Sequence, residues 1–175
     1  MSALGRSSVL LLGGIAALGL AAWTAHRRPS GPEPSLGGRL AGPLAGIVAG
    51  ARSVAADAEL QRGARLRALA QLEGALELAP SRTDIWLQLI ALQGLQFASA
   101  ERESDVSVRA SWTLGALDAA QRGYLQAGDP EWVARFAIAV LRAQIDSEPP
   151  LTLPPGSMSL PDRLVVWQRL APQAP

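Results

Sequence analysis

Between residues 44 and 145 the apolar side chains recur at steps of three and four, and no alternating strand pattern interrupts them. That spacing places them on one face of a 3.6-residue helix, so the chain can bury them only by packing helix against helix. It predicts helices at about 46–61, 64–79, 83–98, 106–127 and 131–145. Asp84 and Pro130 stand in first turns, where a carboxylate and a missing N–H are tolerated best, and Gly128 is placed to end the fourth helix. Along that fourth helix Val108, Trp112, Ala116, Ala119, Gly123 and Ala127 form a narrow stripe of mostly small side chains, on which another helix can pack closely. On the fifth, Trp132, Val133, Phe136, Ala137, Val140 and Leu141 read as the buried face. With short connections between them, such helices form antiparallel hairpins, an all-α domain over 44–145.

The C-terminal stretch is less regular. Residues 146–175 make a proline-rich tail, because the run E-P-P-L-T-L-P-P-G-S-M-S-L-P removes backbone donors and blocks helix continuation. A short helix from Pro161 to Leu170 is expected inside it, capped by Ser159, with Leu164, Val165 and Trp167 as its apolar side. Leaving that side in water is costly, so the helix is expected to dock back on the others, the competing reading being a loose tail that binds elsewhere.

Ahead of the helical region lie two further segments. Ser7 to Ala25 is an uncharged apolar run between Arg6 and His26-Arg27-Arg28. About 19 helical residues cover ~28 Å, close to the thickness of a bilayer's hydrocarbon core, and Trp23 falls at the interfacial position. We read residues 1–28 as a single-pass transmembrane anchor in a cell membrane; the competing reading is a cleaved signal peptide with Gly19-Leu20-Ala21 as its small-residue site. Arginines lie on both sides, and the side of the folded domain stays open. Gly13, Ala17 and Ala21 follow the small-xxx-small spacing that lets two spans approach, although an Ala/Gly-rich span without a partner has the same look. Residues 29–43, with four prolines and four glycines, form a linker.

Composition narrows the function. The chain has no Cys, and its one histidine, His26, abuts the apolar run, which removes thiolate and imidazole metal sites and any Ser-His-Asp set in the helical region. All sixteen basic residues are Arg, so neither a Schiff-base nor a phosphate-loop lysine is present. Glu101, Glu103 and Asp105 alternate with Arg102 but lack the turn glycine and ligand spacing of a calcium loop, and read as a solvated charge run. Arg62, Arg65 and Arg67 follow Asp57 and Glu59 by one or two turns, which suits intrahelical pairing. A net charge of +1 gives no general pull toward nucleic acid. No catalytic, cofactor or metal residue is assigned, and a non-enzymatic protein is expected.

The segment L-E-L-A-P-S-R-T-D-I-W-L-Q-L carries a more specific pattern. Ala68-x3-Leu72 and Ala75 precede the closing Pro80, and Trp86-x2-Leu89 opens the next helix. This junction resembles the tetratricopeptide repeat, which pairs Trp-x2-Leu in a first helix with a small-and-large pattern and a closing Pro around a second. The match departs at Ile90 and Gln93, where the family has Gly and Tyr, and at Arg52, Ala55 and Glu59, where it has Trp, Leu and Tyr; Ala56 supplies a small contact residue. The resemblance implies hairpins of degenerate repeats, with Trp86 buried between the second and third helices. It also implies a protein-binding adaptor or scaffold, or alternatively a structural accessory subunit of a larger membrane complex. In that family the first helix of each repeat lines the binding groove beside the Trp-x2-Leu positions. Carried over, the partner-binding residues are Asp84, Leu87 and Ala91 in one repeat and Ser53, Asp57 and Leu60 in the other. A competing placement puts Leu60 and Leu87 in the core. Two acids and no Lys on this face favour a protein partner of apolar and basic character.

Overall fold

Three helix starts are set by short polar side chains that satisfy otherwise unpaired N–H groups. Asp105 accepts from Ser107 N at 2.8 Å and Val108 N at 3.3 Å, Asp129 accepts from Trp132 N with Pro130 behind it, and Ser159 accepts from Asp162 N. In the computed structural model, which describes residues 44–171, these caps open the last three of six α-helices. The helices are α1 (Ala45–Gln61), α2 (Arg65–Leu78), α3 (Thr83–Ala91), α4 (Val106–Gln126), α5 (Pro130–Ile145) and α6 (Leu160–Leu170). No strand occurs among the described residues. None of these helices is long and apolar enough to cross a membrane. The run 7–25, its Gly13, Ala17 and Ala21, and the linker 29–43 lie outside the described residues.

One departure from the expected helices is internal. The predicted helix 83–98 is α-helical only to Ala91 and continues as a π-helical segment, Leu92–Phe97, with Ala98 N donating to Gln93 O across five residues. The wider turn brings Leu92, Gln93, Gly94 and Phe97 to the interior together. At Gly94 two neighbouring helices converge: a Cβ there would stand 2.6 Å from Val140 Cγ1 on α5 and 3.1 Å from the Ala116 Cβ on α4. Gln144 of α5 closes the arrangement by donating from Nε2 to Gly94 O at 2.8 Å.

The helices pack as consecutive hairpins, α1 against α2, α3 with its π-helical segment against α4, and α5 against both α4 and α6. Polar contacts gather the starts of the odd-numbered helices at one end. Arg82 Nη1 reaches Gly46 O at the start of α1, Gly128 N donates to Ser81 O, and Asp129 N donates to Thr83 Oγ1 at 3.0 Å. Between the even-numbered α2 and α4, Arg122 makes a paired contact with the Glu73 carboxylate at 2.8 and 3.0 Å.

The core follows the helical spacing closely. Ala56, Ala68, Leu72, Ala75, Trp86 and Leu89 are all buried, as are Ala116, Ala119 and Gly123 of the small stripe on α4. The Trp86 ring lies on Gly123 of α4, and its Nε1 donates to Pro80 O at 2.8 Å. Two apolar assignments are corrected. Trp132 is 56% exposed, because the buried arc of α5 runs through Val133, Ala134, Ala137, Val140 and Leu141, and Trp132 stands outside it against Arg135. Val165 is also exposed: α6 docks on α5 through Leu160, Leu164 and Trp167, and Trp167 meets Tyr124 of α4 edge-on at 5.9 Å.

Arg109 ties the proline-rich segment to this core. Its side chain is wholly buried and finds neutral acceptors rather than a carboxylate: Ala98 O at 3.1 Å, Pro149 O at 3.2 Å and Ser147 Oγ at 2.9 Å. A buried guanidinium is tolerated when its donors are taken up in this way. The polar atom most costly to bury therefore fixes the path of residues 147–149 along α4.

Candidate functional site

The six residues singled out for partner binding fall on α1 and α3, and the structure joins some of them and separates others. α1 packs along α2, whereas it meets α3 through side chains. Ser53 Oγ donates to Gln88 Oε1 at 2.6 Å, and Gln88 Nε2 donates to Asp57 Oδ1 at 2.9 Å. Gln88 thus bridges two of the nominated residues. It went unnominated, although it lies one helical turn beyond Asp84 on the same face of α3.

Asp84 is exposed at the start of α3 and is held by Arg82 through a two-point contact at 2.7 and 2.5 Å. That hydrogen-bonded pairing, opposed by partial burial, keeps the Asp84 carboxyl below the usual carboxylate range and raises the Arg82 guanidinium. Leu60 and Leu87 are half-buried and rest against the hydrophobic core, as the competing placement had them, each with part of its surface still outward. Ala91 is half-buried immediately before the π-helical segment.

The face therefore has a polar centre, Ser53-Gln88-Asp57, the Arg82–Asp84 ion pair at the start of α3, and the half-buried Leu60 and Leu87 on the same two helices. It offers exchangeable hydrogen bonds and some apolar surface, the two things an extended or helical peptide needs. It has no titratable pair poised for proton transfer and no group activated as a nucleophile. No cluster of His, Cys, Asp or Glu suited to a metal ion occurs among the described residues. The acidic residues near α4 are used locally: Asp105 caps the helix, and Glu103 accepts from Asp105 N and faces Arg65 at 3.9 Å. Of the basic cluster, Arg62 pairs within its helix with Glu59 at 2.8 Å, while Asp57 is taken by Gln88 instead. A second concavity, an open depression of about 470 Å³, lies between the end of α5 and residues 150–161.

Comparison with family models, curated proteins and solved structures finds no match to this chain. Its function is therefore read from fold and chemistry alone.

Proposed function

We propose that this chain is a membrane-anchored adaptor of tetratricopeptide-like helical hairpins that binds a protein segment along the α1–α3 face. The observation that carries the reading is the polar centre of that face. α1 and α3 are joined there by the replaceable side-chain contacts of Ser53, Gln88 and Asp57 rather than by close helix packing. A partner's polar groups can substitute for those contacts at small cost, because a hydrogen bond exchanged for another is nearly neutral. Asp57 is held by the neutral Gln88 side chain and keeps its charge on this face, whereas Asp84 is paired with Arg82; the Asp57 carboxylate favours a segment with basic and apolar side chains. The anchor rests on the uncharged run Ser7 to Ala25.

The test is recovery of a partner from gently solubilised membranes with the full-length chain. Asp57→Lys combined with Asp84→Lys should abolish recovery while keeping helical content and lowering melting only slightly, by the small contribution of the Arg82–Asp84 and Gln88–Asp57 contacts. Retention of the partner by this variant would overturn the site. Leu87→Arg should also lose the partner, and its unfolding would assign Leu87 to the core without bearing on the two acids.

A second reading, a permanently buried subunit of a larger membrane assembly, is favoured by the exposure of Leu66, Leu125 and Trp132 at 73%, 71% and 56%. Stoichiometric recovery of a fixed set of proteins, insensitive to the two acidic substitutions, distinguishes it.

A further inference from the structure

The outward face of α1 carries an apolar stripe that no described part of the chain covers. Leu44, Ile47, Val48 and Val54 are 49%, 58%, 41% and 70% exposed, and the exposed Ala51 and the half-buried Ala55 and Ala58 complete the same face. The spacing is that of a seam two heptads long, opposite the buried Ala49 and Ala56, with no charged residue inside it. Its large and small residues are unevenly divided: the large ones crowd the first half and alanines fill the second.

We propose that this stripe pairs with the same stripe of a second copy, antiparallel, about a two-fold axis at Ala51. In that register residues whose numbers add to 102 stand at the same level. Leu44 then lies level with Ala58 of the other copy, Ile47 with Ala55, Val48 with Val54, and Ala51 with itself. Large faces small at each end and medium faces medium beside the axis, which lets the two helices run at constant separation and fill the space between them. A parallel pair would set Leu44 and Ile47 against their own copies and leave alanine against alanine at the other end, splaying the helices and opening a void. An isologous interface of this kind closes on itself and leaves no free apolar edge.

Other occupants fit less well. The run 7–25 is apolar on all sides, so packing it here would move the exposed surface outward without removing it. A lipid surface favours helices with large aromatic or leucine anchors, whereas three of these seven positions are Ala. Ser53 and Asp57 lie roughly a third of a turn around α1 from the stripe, so pairing leaves the α1–α3 face open.

The chain has no Cys, so single cysteines report contacts directly in the full-length protein in detergent. Oxidised Ala51→Cys should form a disulfide dimer in high yield, and a mixture of Val48→Cys and Val54→Cys should give the mixed dimer. Leu44→Cys should not cross-link to itself, because its copies stand ~21 Å apart along the axis, beyond disulfide reach. Leu125→Cys, equally exposed on α4, serves as the collision control. Adding Val54→Glu to Ala51→Cys should cut the cross-link at least tenfold with helical content unchanged. Self-linking of Leu44→Cys would show a parallel pair and overturn the register. An Ala51→Cys yield no higher than the Leu125→Cys control would overturn the pairing and leave the stripe to another protein or to lipid.

Discussion

The indole of Trp86 sits on Gly123 so closely that a Cβ there would stand 3.0, 3.1 and 3.2 Å from three of its ring atoms. The neighbouring Arg122 guanidinium also lies over the ring, 5.5 Å from its centre, and Glu73 holds that arginine in place, pushing it above its ordinary range chiefly through their hydrogen bonds. The contact joins α3 to α4 and, through Glu73, to α2. It explains a glycine in the last turn of a 21-residue helix, where it costs up to ~1 kcal/mol relative to alanine.

The pair makes a prediction whose sign depends on background. In the native chain Gly123→Ala should destabilise by up to about 2 kcal/mol, because overpacking outweighs the gain in helix propensity. Trp86→Ala should cost about 3–5 kcal/mol. With Trp86 already alanine, Gly123→Ala should become stabilising by about 1 kcal/mol. Urea denaturation of the four proteins measures this, and additive effects would show that the two residues do not share a contact.

Gly94 offers a parallel case in the π-helical segment. Gly94→Ala should cost about 1–3 kcal/mol, since the new methyl meets Val140 and Ala116. Shortening Val140 to Ala in the same chain should recover part of the loss attributable to the clash, which a thermal melt of both variants will register.

Arg109→Met should loosen the proline-rich segment. Losing charge-assisted bonds to Ala98, Ser147 and Pro149 is worth about 1–3 kcal/mol. The effect should be local: amide exchange should rise over residues 146–170, while α2 and α3 keep their protection. Uniform loss across all helices would mean that Arg109 supports the whole core rather than this segment.

The pH dependence arises at Asp84. Arg82 holds its carboxyl below the usual range in the folded state, so the unfolded chain takes up a proton first as pH falls. The pairing therefore contributes stability above the unfolded value near ~3.9, which is lost as pH drops through the lower folded value. Because the pair is largely exposed, the increment is below about 1 kcal/mol. Melting temperatures taken between pH 7 and 2 should fall slightly less for Asp84→Asn than for the native protein.

Much of the architecture was legible residue by residue. Helical spacing located every helix to within a few residues. Pro130 and Ser159 marked helix starts that backbone chemistry dictates, because a missing N–H and a short hydroxyl each suit few positions in a chain; Gly128 stands just past the end of α4 but does not take the left-handed φ that Gly63 takes after α1. The alanine stripe of α4 correctly announced a close helix contact, although not that Trp86 would fill it. On the α1–α3 face, Ser53, Asp57 and Asp84 were nominated by the resemblance to the repeat family, and Gln88 was not, since its bridging contacts exist only once α1 lies beside α3.

What tertiary structure decided were the outcomes of competition for space. A regular helix over 83–98 satisfies local propensity, yet α4 and α5 converge on Gly94 and the turn widens into a π-helical segment that buries Gln93 beside Phe97. Trp132 and Val165 have the composition of core residues, but each helix presents only one arc to its neighbours, and both lie outside it. Arg109 reads as one more surface arginine until the proline-rich segment folds over it and supplies its acceptors. Local periodicity determines where helices form and which arc each can bury; which neighbour fills that arc depends on contacts between residues far apart in the chain, and the order of residues does not encode these one position at a time.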